Sequence, residues 1–219
     1  MNRLGLARAL DDALCGTVRT AGWEPVPLFL TAMEATSAPP PVADPDAVIV
    51  LSPAAARLAL LPPGAPCLAQ GEATARALAS AHAQAGRTVK VSATPKAEGL
   101  FDLLRDQFPR GGTFLLARAE RSRQHLEQAA AGTPWRLLPW ITHREAPVLP
   151  PPAMPDLEAV LALSPLQAEL LGPRSGRMLR FAWGERTQRS FLQAGYPVAG
   201  WCEPEASALQ RLLFSQLNS

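Results

Sequence analysis

At 219 residues with 47% hydrophobic content, the chain can bury one large core or two small ones, and its composition is not that of a disordered protein. With 21 basic against 19 acidic residues, the net charge is +2, which gives no general reason to expect nucleic acid or a membrane surface as a partner. No window approaches the roughly 20 apolar residues of a membrane span, and "MNRLGLARALDDAL" lacks the apolar core and cleavage site of a signal peptide. Cys15, Cys67 and Cys202 are odd in number and have no CxxC spacing, so they read as small buried apolar residues in a reducing, cytoplasmic compartment.

Short apolar runs alternate with amphipathic segments along the whole chain. Residues 4–6 read as a strand, followed by a helix from Asp11 to about Ala21, with Asp12 as a cap and Gly22 as the stop. Residues 47–51 are apolar throughout, as buried parallel strands are. Ser52 follows as a cap, with Pro53 at the first position of a helix over 54–61. Next come a strand at 67–69, a helix at 72–85 stopped by Gly86, a strand at 89–91 and a helix at 97–108. The second half runs strand 114–117, helix 120–131, strands 136–140 and 159–163, helix 165–171, strand 179–182, helix 185–194, strand 197–200 and helix 204–216. This alternation predicts parallel sheets covered by helices on both faces.

The halves repeat each other. Leu6-Ala7-Arg8-Ala9 recurs as Leu116-Ala117-Arg118-Ala119, Ala21-Gly22 as Ala131-Gly132, and Ser52-Pro53 as Ser164-Pro165. Gly71-Glu72-Ala73-Thr74 recurs as Gly184-Glu185-Arg186-Thr187, and Gly86, Pro95 and Leu103-Leu104 recur as Gly195, Pro204 and Leu212-Leu213. Seven matches in one order, at nearly constant offset, predict two equivalent structural halves. The proline-rich stretches "SAPPPVADP" at 37–45 and "APVLPPPAMP" at 146–155 read as crossings between domains, with surface loops inside one domain as the alternative.

In open α/β sheets ligands bind beyond the carboxyl ends of the strands. Ser52, Gly71, Thr74, Ser164, Gly184 and Thr187 all fall there, each near a helix amino terminus that offers unpaired N–H groups and partial positive charge. Two domains facing one another would present several such ends to carboxylates or phosphates. A plain helix cap remains the alternative for each Ser and Thr. Nucleotide phosphate loops and a nucleophile elbow are missing, and His82, His125 and His143 have no metal-ligand spacing. His82 reads as an inert surface residue and His125 as solvated; His143, in "WITHREAP", lies beside a crossing and reads as a satisfied or solvent-facing residue, with a functional role as the alternative. Arg118, Arg121 and Arg123 form a small basic cluster that reads as a solvated face, with anion contact as the alternative.

The marks "DAVIVLSPAAA", "GEATARAL", "AEGLFDLL", "LLARAERSRQHL", "AVLALSPLQAELL" and "AWGERTQRSFLQAGYPVAGWCEPEASALQRLL" cover nearly the whole chain, and in this order they resemble the uroporphyrinogen-III synthase family. The resemblance implies two similar flavodoxin-like, parallel-sheet α/β domains joined by two extended linker strands, with a cleft between them. One domain would combine 1–36 with 153–219, the other would be 45–145, and 37–44 and 146–152 would be the linkers. It implies a hydro-lyase that closes hydroxymethylbilane to uroporphyrinogen III through a spiro intermediate, inverting ring D and losing water, with no metal or organic cofactor. The substrate carries eight carboxylates, which suits a site rich in N–H and hydroxyl groups.

Carried over by position, Ser52, Thr74, Ser164 and Thr187 would contact substrate carboxylates, and Gly71 and Gly184 would allow close backbone approach. Arg8, Arg118 and Arg123 match the family's arginines, the last two partly structural. Two departures stand out. Ala7-Arg8-Ala9 replaces the usual Thr-Arg-Pro, and no tyrosine lies in "LPWITHREAP", where Thr142 or His143 takes the place of a tyrosine that would assist the leaving hydroxyl. The implied partners are the tetrapyrrole and a transient handover from hydroxymethylbilane synthase, with the enzyme a cytoplasmic monomer. The alternative is a non-catalytic two-domain binder of a tetrapyrrole or another polycarboxylate.

Overall fold

The computed structural model describes residues 2–7, 12–83, 86–94, 96–122 and 124–217. The chain divides into two compact units, one formed by Met1–Ala32 with Ala146–Ser219 and the other by Met33–Glu145.

In chain order the first unit begins with β1 (Asn2–Leu6), α1 (Asp12–Thr20) and β2 (Trp23–Pro27), and β3 (Thr31–Ala35) carries the chain across the boundary. The second unit comprises β4 (Ala47–Val50), α2 (Pro53–Leu58), β5 (Cys67–Ala69), α3 (Glu72–Ala81), β6 (Val89–Val91), α4 (Ala97–Gln107), β7 (Gly112–Ala119), α5 (His125–Ala130) and β8 (Trp135–Pro147), whose last residues cross back. The first unit resumes with β9 (Ala159–Ala162), α6 (Pro165–Leu171), β10 (Leu179–Trp183), α7 (Glu185–Gln193), β11 (Gly200–Cys202) and α8 (Ala206–Leu217).

The first sheet is ordered β11-β10-β9-β1-β2 and is parallel throughout. The second is ordered β3-β8-β7-β4-β5-β6, with the five strands from β8 to β6 parallel. Apart from β3 the two orders are the same, so β9, β10, β11, β1 and β2 correspond to β4, β5, β6, β7 and β8.

Both faces of each sheet are covered, which is why the central strands read as unbroken apolar runs. Along β9, Ala159 and Leu161 face a core shared with Leu14 and Val18 of α1 and Leu209 and Leu213 of α8. The alternate residues Val160 and Ala162 face the core built with Ala168 and Leu171 of α6 and Phe191 of α7. In the second unit Val48 and Val50 pack toward α2 and α3, while Ala47 and Ile49 pack toward Leu100 and Leu104 of α4 and Leu126 and Ala130 of α5. Fully burying each large aliphatic or aromatic side chain contributes about 1.5–3 kcal/mol.

Several boundaries differ from the sequence reading. α2 stops at Leu58, not 61, because Ala59 turns to an extended backbone ahead of Pro62-Pro63. α3 ends at Ala81. α5 starts at His125, not 120, because Ser122 folds 119–122 into a turn by donating to the Ala119 carbonyl. β11 lies at 200–202, not 197–200. β8 runs to Pro147, seven residues beyond the expected end. β2, "WEPVP", was not expected as a strand. It is an edge strand, where prolines on the outward side leave no ladder bond unmade.

Candidate functional site at the carboxyl ends of the strands

In the second unit β4 and β5 are neighbours, so the turns that follow them lie side by side. Ser52 caps α2, its hydroxyl oxygen accepting the Ala55 N–H at 3.1 Å, with Pro53 opening the helix. Gly71 caps α3 with φ 100° and ψ 165°, and its carbonyl accepts from the N–H groups of Thr74 (3.2 Å) and Ala75 (3.1 Å). Only glycine adopts that backbone freely. Thr74 is buried. The tip of α3 faces the turn after β6, and the two enclose an open cavity of about 450 Å³ lined by residues 70–73 and 91–93. Ser92 in that lining is buried, and nothing in the sequence singled it out; its only signal was its place just past a strand.

The first unit repeats this arrangement on β9 and β10. Ser164 caps α6 and accepts the Gln167 N–H at 3.2 Å. Gly184 caps α7 with φ 101° and ψ 145°, and accepts from Thr187 and Gln188, both at 3.1 Å. Thr187 is buried and donates its hydroxyl to the Trp183 carbonyl at 3.2 Å. What this tip offers a ligand is therefore backbone N–H rather than the threonine hydroxyl. Glu72 and Glu185 begin the two helices as exposed carboxylates, and Arg189 holds Glu185 at 2.6 Å.

A third group of candidates lies beyond β7 and β8 in the second unit. Arg118 is buried and does not join a solvated basic face. One of its nitrogens donates to Ser122 Oγ at 2.7 Å and another lies 3.1 Å from Glu127 Oε1. That ion pair lacks hydrogen-bond alignment: Arg118 Nε and both Glu127 carboxylate oxygens are buried without a hydrogen-bond partner among the described residues. Arg121 is exposed. Arg8 and Arg123 lie outside the described residues.

Between Arg118 and Ala119 the register of β7 and β8 slips. Arg118 faces Ile141 and Ala119 faces His143, leaving Thr142 as the extra residue of a β-bulge. Thr142 and His143 are therefore both buried, where regular alternation would send one of them to each face. Thr142 Oγ1 lies 3.0 Å from His143 Nδ1 and 3.4 Å from the Arg118 carbonyl. The hydroxyl has one proton: given to the Arg118 carbonyl, it leaves Oγ1 to accept from Nδ1–H; given to Nδ1, it places the ring proton on Nε2.

Burial pushes the His143 pKa below its usual value. The folded state therefore resists protonation while the unfolded chain still protonates near pH 6.5. Stability present above that pH is lost as the pH falls toward the depressed folded value. His143→Gln is expected to flatten this acid limb, read as urea midpoints between about pH 7.5 and 5.5. The other histidines are apart from this group. His82 is half-buried, not a free surface residue, with Nε2 2.9 Å from the Ala56 carbonyl, and His125 is exposed at the start of α5. The three cysteines are free and buried, and burial raises the Cys202 thiol pKa to about 11.

Among the described residues no group of three or more His, Cys, Asp and Glu could hold a metal, and no helix is long and apolar enough to cross a membrane.

Two α/β units of the same strand order, each with a serine-capped turn beside a glycine-tipped helix, define a duplicated α/β protein. The family model of uroporphyrinogen-III synthase HemD (HEM4) matches residues 12–139, more than half of the chain, and the chain belongs to that family. This is an enzyme family of tetrapyrrole biosynthesis. The crystal structure of uroporphyrinogen-III synthetase from Helicobacter pylori is similar over 99% of this chain and 100% of its own, with TM-score 0.61 and 15% identity. A mutant uroporphyrinogen III synthase from Thermus thermophilus matches over 100% of both chains with TM-score 0.47 and 21% identity. Comparison with curated proteins gives no match.

Proposed function

We propose that the protein is a cyclising hydro-lyase that converts hydroxymethylbilane to uroporphyrinogen III, inverting ring D through a spiro intermediate and releasing water. The observation that carries this reading is the pair of matched tips, Ser52 with Gly71–Thr74 and Ser164 with Gly184–Thr187, in a member of the synthase family. The substrate is flexible and has eight acid arms. Backbone N–H groups and serine hydroxyls on both units bind those arms, and the rate gain comes from holding the chain in a ring-like shape and stabilising charge as the hydroxyl departs. Gly71 and Gly184 bring the backbone close to the carboxylates.

Arg118 acts through Glu127 and Ser122 by fixing the turn after β7. His143, held by Thr142, is the group that serves the leaving hydroxyl, acting in the tautomer that carries its proton on Nε2. His143→Ala is expected to lower kcat by about 10²-fold while KM changes little. Unchanged turnover in that variant would remove His143 from the mechanism. In this reading the enzyme works in the cytoplasm as a monomer, organises the substrate without metal or cofactor, and receives hydroxymethylbilane from the preceding synthase.

The deciding experiment supplies porphobilinogen and its deaminase, then resolves the product isomers. Hydroxymethylbilane closes spontaneously to the type I isomer. Type III product on adding this protein supports the reading, and type I alone sinks it. One observation favours a non-catalytic tetrapyrrole binder instead: Tyr196, the chain's single tyrosine, lies in the first unit under the Arg180 guanidinium, 5.6 Å from its ring centre, and not on β8. Tight binding of the type III product without turnover would establish that reading.

A further inference from the structure

Gln167 lies in the first turn of α6 and is 3% exposed. A buried amide needs partners for both its oxygen and its nitrogen. Its Oε1 accepts the Leu163 N–H at 2.8 Å, and its Nε2 donates to Thr31 Oγ1 at 3.1 Å. Because Leu163 N–H can only donate, the amide cannot be flipped. The backbone N–H of the same residue donates to Ser164 Oγ. One residue thus joins the end of β9, the cap of α6 and the first residue of β3.

The second unit shows what this glutamine adds. Ser52 corresponds to Ser164, and Ala55 donates its N–H to Ser52 Oγ as Gln167 does to Ser164. A serine cap therefore forms without an amide side chain. The strand registers extend the correspondence: Leu6 faces Pro27 as Leu116 faces Pro139.

We propose that Gln167 is a positioning residue for the reaction, fixing the Leu163–Ser164 turn against Thr31 so that the Ser164 hydroxyl meets substrate in one orientation. This rests on the proposed function, in which Ser164 binds a substrate carboxylate. The amide touches no reacting atom and acts through the turn.

The test uses the full chain in the isomer-resolving assay, at a temperature where circular dichroism shows every variant folded. Gln167→Ala is expected to lose about tenfold in kcat/KM, chiefly through KM, as loss of a buried hydrogen-bonded tie should. Thr31→Val is expected to lose a similar amount, and the double variant no more than either single one.

A KM within about twofold of wild type in Gln167→Ala, with only a lower Tm, overturns the proposal, as do additive losses in the double variant. If wild type yields type I product alone, the proposed function has failed, and amide exchange at Leu163 tests the tie by itself. Exchange about tenfold faster in Gln167→Ala supports the tie, and unchanged exchange overturns it.

Discussion

Gly184→Val is expected to reduce type III product formation by at least about 10²-fold while the protein still folds. A Cβ at this position meets nothing within 4 Å, so crowding is not the cause. The cause is the backbone, whose φ of 101° a β-branched residue adopts only at a cost of about 1–3 kcal/mol. Valine relaxes that strain by moving the turn, and the Glu185–Thr187 N–H groups move with it. Gly71, with φ of 100°, stands under the same constraint in the second unit, and Gly71→Val should behave alike. Alanine has no branch at Cβ and should give smaller losses at both positions. Steady-state kinetics with isomer analysis checks this, and a valine variant with wild-type turnover would show that the tips do not bind substrate.

The largest loss of stability is expected from Arg118→Ala. The arginine is 6% exposed and Glu127 18%, so removing the cation leaves a carboxylate with little water and no hydrogen-bond donor among the described residues. Breaking a buried pair by deleting one partner costs about 3–5 kcal/mol. Partial exposure of Glu127 places this one near the lower end. Replacing both charges, Arg118→Met with Glu127→Leu, should restore most of that stability, because buried pairs are seldom better than apolar groups of similar volume. Urea unfolding measures both variants. The double variant also separates two roles for Arg118. Retained KM means that the arginine only holds the turn after β7, whereas a stable double variant with greatly raised KM means that it reaches substrate.

The element order and the doubled pattern were legible because the physical signals were local. "AVIV" and "AVLA" are apolar throughout because both faces of each sheet are covered. Ser-Pro at 52–53 and 164–165 marks helix starts by cap chemistry, and both caps form. β2 escaped notice because Pro25 and Pro27 argue against a strand unless it is known to be an edge. The correspondence of Trp23 with Trp135 and Pro27 with Pro139 became visible only through the strand registers.

Long-range pairings carried no sequence signal. Arg118 looked like part of a solvated basic cluster, yet Glu127, one helix turn into the next element, draws it inward. The bulge at Thr142 depends on how β7 and β8 align and leaves no mark in "WITHREAP". Gln167 is a glutamine in an amphipathic helix until Thr31, 136 residues away, is placed beside it.

The central claim is that matched helix tips on both units take the acid arms of one tetrapyrrole. Titrating isotope-labelled protein with uroporphyrin III, the oxidised product, and following the backbone amides by NMR tests it most directly. The amides of Glu72–Thr74 and of Glu185–Thr187 are predicted to shift together, along one binding curve. Shifts confined to one unit, or absent from both sets of amides at saturation, would contradict it.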